Sequence, residues 1–208
     1  MKGSAFNHRL AFEFSAYQFK LDQAIVIQRT ADGADFYINS GSTLQRGLEA
    51  FARWAPAILN KTNNTFTVWS SYTFNPYIFQ NFVTAGKDYS GNRLTGTAIN
   101  TLVAGMDFSR NKFYVNTTCN YTSNIALNDA NTDFANEYFL FGSRVGYKTN
   151  LSLPVEFFAG IDNAFNQRYS LGNDLNAVGG RYYNAAPLRG FYVGVKGTIA
   201  DNSKKFKP

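Results

Sequence analysis

Phe113-Tyr114-Val115-Asn116-Thr117-Thr118-Cys119-Asn120-Tyr121-Thr122 is the stretch on which the fold turns. Its odd positions carry Phe113, Val115, Thr117, Cys119 and Tyr121, and its even positions carry Tyr114, Asn116, Thr118, Asn120 and Thr122. Side chains alternate across a β-strand, so this decapeptide has one mostly apolar face and one polar face. The same period of two returns elsewhere. Leu102, Ala104, Met106 and Phe108 share a face, as do Val155, Phe157, Ala159 and Ile161, and then Phe191, Val193, Val195 and Ile199. Helical periodicity is nowhere sustained. The candidate strands run over about 8–28, 35–55, 64–79, 98–109, 112–123, 136–149, 153–165 and 188–200.

The connections between them alternate in length. Strands four and five meet across Arg110-Asn111 and six and seven across 150–152, whereas 87–96, 124–135 and 166–187 form long loops. Tight turns at one end, long loops at the other, and long strands with one apolar face describe the wall of a transmembrane β-barrel. The opposite face supports that reading, because Glu13, Glu49, Arg53, Asp107, Arg144, Glu156, Asp162 and Lys196 all fall on it. A dry sandwich core does not hold unpaired ions at such density, but a wet lumen does. Phe51, Val103 and Phe158 share the charged face, and Ser143 falls on the apolar one. The fold class is therefore all-β: an antiparallel meander of about eight long strands forming part of a transmembrane β-barrel.

Composition agrees. Charged residues make up 16% of the 208, against about 25% in soluble domains, while 13 Tyr and 20 Phe lift the aromatic share to 17%. No run approaches the roughly 20 apolar residues of a membrane-spanning helix. Met1 to Leu10 lacks the apolar core of a signal peptide, which favours a mature or internal piece. The net charge of +6 is scattered apart from Lys204, Lys205 and Lys207, so no nucleic-acid surface is expected. Cys119 is the sole cysteine and His8 the sole histidine. No metal site, no cofactor and no catalytic centre is therefore expected, and His8 reads as a turn residue. Asn60, Asn64, Asn116, Asn120 and Asn150 open N-x-Ser/Thr triplets that chance explains in strands this rich in Asn and Thr.

Two stretches resemble TonB-dependent receptors, outer-membrane barrels of about 22 strands with a plugged lumen. Asn39-Ser40-Gly41 with Arg46-Gly47-Leu48-Glu49 is similar to the family's Asn-x-Gly and Lys/Arg-Gly-x-Glu pattern. Asp162-Asn163-Ala164-Phe165-Asn166-Gln167-Arg168-Tyr169, with Pro187-Leu188-Arg189 before the last strand, is similar to its closing segment. Departures are Gly96-Thr97-Ala98, where the family often has proline, and a polar Lys-rich tail over 201–208 in place of a terminal aromatic. The resemblance implies residues 1–200 as the C-terminal part of such a barrel, set in outer-membrane lipid and contributing to uptake of an iron-siderophore or similar large nutrient. It also implies a plug domain and TonB as partners lying outside this sequence. Its ligands are captured by outward loops, which makes Tyr89, Arg93, Arg181, Tyr182 and Tyr183 the candidate contacts; Tyr182 and Tyr183 fit an interfacial aromatic girdle equally well. Asn39, Gly47, Glu49, Asp162 and Asn163 read as structural. Two other functions stay open: a self-contained eight-stranded barrel acting as anchor or adhesion protein, and a soluble carbohydrate-binding module, which the outward aromatics disfavour.

Overall fold

Alternation becomes pairing in the computed structural model, which describes residues 1–23, 25–30, 32–39, 41–56, 64–84, 86–149 and 154–197. In chain order the strands are β1 (Lys2–Ala5), β2 (Leu10–Asp22), β3 (Ile25–Arg29), β4 (Asp35–Asn39), β5 (Ser42–Trp54), β6 (Asn64–Phe74), β7 (Ile78–Asn81), β8 (Val83–Thr84), β9 (Lys87–Asp88), β10 (Asn100–Arg110), β11 (Phe113–Thr122), β12 (Ile125–Ala126), β13 (Phe134–Ala135), β14 (Tyr138–Lys148), β15 (Val155–Asp162), β16 (Ser170–Asn173), β17 (Tyr183–Ala185) and β18 (Gly190–Gly197). One antiparallel sheet runs β1-β2-β5-β6-β10-β11-β14-β15-β18, with β7 also on β5. The remaining strands pair two by two: β3 with β4, β8 with β9, β12 with β13, and β16 with β17.

The register keeps the two faces separate across the whole sheet. Phe66, Phe108, Val115, Val145, Ala159 and Val193 lie on one rung, and Asp107, Asn116, Arg144, Gly160 and Tyr192 on a rung of the opposite face. Among the described residues nothing covers the apolar face: Val193 is 84% exposed and Phe191 75%, with Val195, Phe113, Phe157 and Val145 also in the open. The buried apolar residues Phe79, Phe82, Ala126, Leu127, Ala135, Ala177 and Tyr182 all lie outside the long strands. Leaving one such side chain in water forgoes about 1.5–3 kcal/mol, so half a dozen of them approach the whole net stability of a soluble domain, about 5–15 kcal/mol. A hydrocarbon phase removes that penalty, and a soluble module does not fit.

The polar face carries a bonded network. Arg144 pairs with Glu156 at 2.8 Å, Tyr114 Oη donates to Glu156 at 2.6 Å, and the Arg144 guanidinium lies 3.8 Å over the Phe158 ring. Large rings on this face lie across a glycine directly opposite on the next strand: Tyr17 on Gly47, Trp69 on Gly105, Tyr114 on Gly146, Tyr192 on Gly160, and Phe158 on Gly194. A Cβ at Gly47 would sit 2.6 Å from Tyr17 Oη and one at Gly105 2.5 Å from the Trp69 ring, so these rings need the bare backbone. That is the physical reason for Gly47 in its motif.

Several boundaries differ from the sequence expectation. The first strand breaks at Gln23, where φ is 58°, and the second at Gly41, where φ is 72°. The third breaks at Asn75-Pro76-Tyr77, where proline lacks the N–H a ladder requires. An unforeseen strand, β1, pairs with the start of β2 through a turn in which Phe6, Asn7 and His8 all take positive φ. The tight turn after β10 consists of Asn111 and Lys112, one residue later than Arg110-Asn111, with φ of 56° at Asn111. The turn over 150–152, Ile199 and the tail 201–208 lie outside the described residues. Among the described residues no ladder joins the first and last long strands, so β18 has β15 alone as neighbour. The sheet is an open arc and not a closed eight-stranded barrel.

Candidate functional site

At the end of the wall where β6, β11 and β15 finish, three long loops fold onto one another. Segment 75–99 doubles back through Phe79 N–H to Asn92 O at 2.9 Å and Leu94 N–H to Tyr77 O at 2.9 Å. Its apolar anchor is the Phe79 and Phe82 pair, with ring centroids 4.7 Å apart, and Tyr89 stacks on Phe82 at 5.7 Å. Arg93 then reaches across to segment 123–137. Its Nη1 and Nη2 donate to Asn124 Oδ1 and O at 3.0 and 2.7 Å, its backbone N–H donates to Asn131 Oδ1 at 2.7 Å, and its guanidinium lies 5.3 Å over Phe134. Burial pulls the Arg93 pKa below the ordinary arginine value, which leaves it a cation held in place by these bonds.

Asp129, 4% exposed, is the hub. It accepts from Thr95 Oγ1 at 2.5 Å and from Asn176 Nδ2 at 3.2 Å, while Asn176 Oδ1 accepts its backbone N–H at 3.1 Å. One carboxylate thus ties all three loops together. Tyr182, 9% exposed, packs with Leu127, Ala135 and Ala177 and donates to Asp133 at 3.3 Å. Asn163 closes the third loop, taking Gln167 N–H at 2.9 Å and giving Nδ2 to Gln167 O at 2.8 Å. Its structural reading holds. We expect Asp129→Ala to leave the Thr95 and Asn176 donors without their acceptor at a cost of about 2 kcal/mol. Amide exchange in 123–137 and 163–189 should then rise roughly thirtyfold, with the wall unchanged; unchanged exchange in the loops would remove Asp129 from this role.

The five candidate contacts separate. Tyr89, Arg93 and Tyr182 are used within the cap, whereas Arg181 and Tyr183 are exposed, Tyr183 at 60% although its hydroxyl donates to Phe134 O at 3.3 Å. Tyr182 thereby belongs to the loop core and not to a girdle. Beside Tyr183 opens a cavity of about 570 Å³, bordered also by Tyr138, Arg168, Tyr169 and Asn173. Arg168 went unremarked in the sequence because its motif has a structural account, and Tyr138 because it reads as an ordinary strand residue. Among the described residues no cluster of three His, Cys, Asp or Glu side chains is placed to hold a metal.

An uncovered apolar face, a charged inner face and a knit cap of long loops at one end define a segment of an outer-membrane β-barrel wall. The chain belongs to the family described as TonB dependent receptor-like, beta-barrel, whose sequence profile matches residues 2–164. It is a receptor and transport family and not a family of enzymes. Solved structures agree on the fold. The siderophore receptor PiuA from Acinetobacter baumannii superposes with a TM-score of 0.69 at 17% identity, over 93% of this chain and 27% of that one. The ferric citrate transporter FecA gives 0.71 at 19%, over 92% and 29%. The copper transporter OprC gives 0.66 at 13%, over 93% and 29%. The chain thus spans a little over a quarter of the length of each, in keeping with an arc of a larger wall.

Proposed function

We propose that residues 1–200 form the C-terminal part of the barrel of a TonB-dependent receptor that carries an iron-siderophore or a similar large nutrient across the outer membrane, with 201–208 as a polar tail. The observation that carries this reading is the one-sided construction: three interlocked loops and a cavity at one end, a two-residue turn at the other. Loops do the recognising when a rigid wall positions them. The cargoes named for PiuA and FecA, a siderophore and ferric citrate, support an iron chelate. In this reading a plug fills the lumen against the charged inner face and TonB drives release, lipid covers the apolar face, and nucleic acid has no part.

Arg181 and Tyr183 are the contacts among the five original candidates, while Tyr89, Arg93 and Tyr182 hold the loops that present them. Isothermal titration of the intact protein with ferric citrate, a ferric catecholate and a ferric hydroxamate tests this. One chelate should bind, and Arg181→Ala with Tyr183→Ala should weaken it at least about tenfold, the scale of one charge-assisted hydrogen bond. Binding of none of the three chelates would overturn the reading. Excising 181–183 is the wrong test, because Tyr182 would leave the loop core with them.

A further inference from the structure

The cavity beside Tyr183 has a lining more specific than its position requires. Tyr138 and Tyr169 form one wall, their ring centroids 5.1 Å apart. Tyr183 also lines the space, its hydroxyl donating to Phe134 O at 3.3 Å. Arg168 lies exposed at the edge, and no described residue engages its guanidinium. Among the described residues no carboxylate lines the space.

Each of these features selects for something different. A cation without a nearby acid favours an anion. Three tyrosine rings favour a flat apolar body, which stacks or meets them edge-on. We infer that this cavity binds a planar aryl anion, with Arg168 holding the charge and Tyr138 and Tyr169 the ring. A polycarboxylate satisfies Arg168 alone: it offers nothing to the rings and brings more charge than one guanidinium matches. At about 570 Å³ the space falls within the range of small-ligand pockets, enough for one aryl arm of a larger chelate. The inference deepens the loop-end capture proposed above and rests on it for its biological meaning.

The test uses the intact protein in detergent and four probes observed by saturation-transfer NMR and titration: 4-hydroxybenzoate, benzoate, cyclohexanecarboxylate and citrate. 4-Hydroxybenzoate and benzoate should both bind, and cyclohexanecarboxylate and citrate at least about tenfold more weakly. Arg168→Gln should weaken 4-hydroxybenzoate at least about tenfold. That side chain is exposed, so the fold survives its loss; Tyr138→Leu should act similarly, checked for folding by heat-modified gel migration. Failure of 4-hydroxybenzoate to bind, equal binding of cyclohexanecarboxylate, or indifference to Arg168→Gln would each overturn the inference. If ferric chelates bind while the aryl probe does not, only the aryl site falls. If the aryl probe binds while no ferric chelate does, the iron-uptake reading falls and the aryl site stands.

Discussion

Arginine at Val193 or Ile161 should cost about 2–4 kcal/mol of membrane folding, whereas arginine at Val195 should cost about 1 kcal/mol or less. All three lie on the apolar face, so the difference comes from depth. Val195 shares a rung with Phe113, Tyr147 and Phe157, an aromatic row at the turn end that fits the interfacial girdle. Val193 stands two residues farther in, on the rung with Val115, Val145 and Ala159, and Ile161 one rung beyond that with Ser143. Lys196, on the opposite face and across from Glu156, should accept glutamine with little loss. Refolding of the intact protein into liposomes under a urea gradient measures all four. Equal costs at Val193 and Val195 would refute the depth assignment, and an equal cost at Lys196 would refute the assignment of faces.

A second large effect is expected at Gly41. Its φ of 72° lies where L-residues carry a penalty of about 1–2 kcal/mol, and a Cβ there would overlap the carbonyl oxygen of Asn81. Overpacking against backbone adds about 1–3 kcal/mol. Gly41→Ala should therefore destabilise by about 2–5 kcal/mol and free the β3-β4 hairpin from the rim, where Asn39 Oδ1 now accepts the Gly41 N–H at 2.8 Å. Gly33 provides the control: its φ is 93° but nothing lies within 4 Å of its absent Cβ, so Gly33→Ala should carry the conformational penalty alone. Thermal unfolding of both variants would show equal losses if the contact with Asn81 were unimportant.

Gly41 also illustrates what the sequence conceals. The candidate strands 8–28, 35–55 and 64–79 run on through Gln23, Gly41 and Pro76 because apolar residues resume on the far side of each; the breaks come from backbone φ and a missing N–H. Strand β1 was invisible because Lys2-Gly3-Ser4-Ala5 has no apolar face to alternate, and only its pairing with β2 defines it. The wall itself was legible because one face meets lipid and the other a lumen, which writes the period of two into nearly every strand. The cap was not legible, since Asp129 and Asn176 stand 47 residues apart and neither carries a local signal for the other. The run Asn128-Asp129-Ala130-Asn131-Thr132-Asp133 did offer a hint, being rich in side chains that bond backbone. For the candidate contacts, residue type singled out arginine and tyrosine in the long loops. It did not distinguish Arg93, whose bonds are internal, from Arg168, whose guanidinium is available.

The rings lying across glycines have a consequence for the inner face as a surface. Tyr17, Trp69, Tyr114, Phe158 and Tyr192 are held flat against bare backbone, so their rotational freedom is surrendered when the wall folds and not when a partner arrives. A side chain ordered only on contact costs about 0.5–1.5 kcal/mol of entropy per encounter. Five rings settled beforehand give the inner surface a firm aromatic relief whose shape does not wait on a partner.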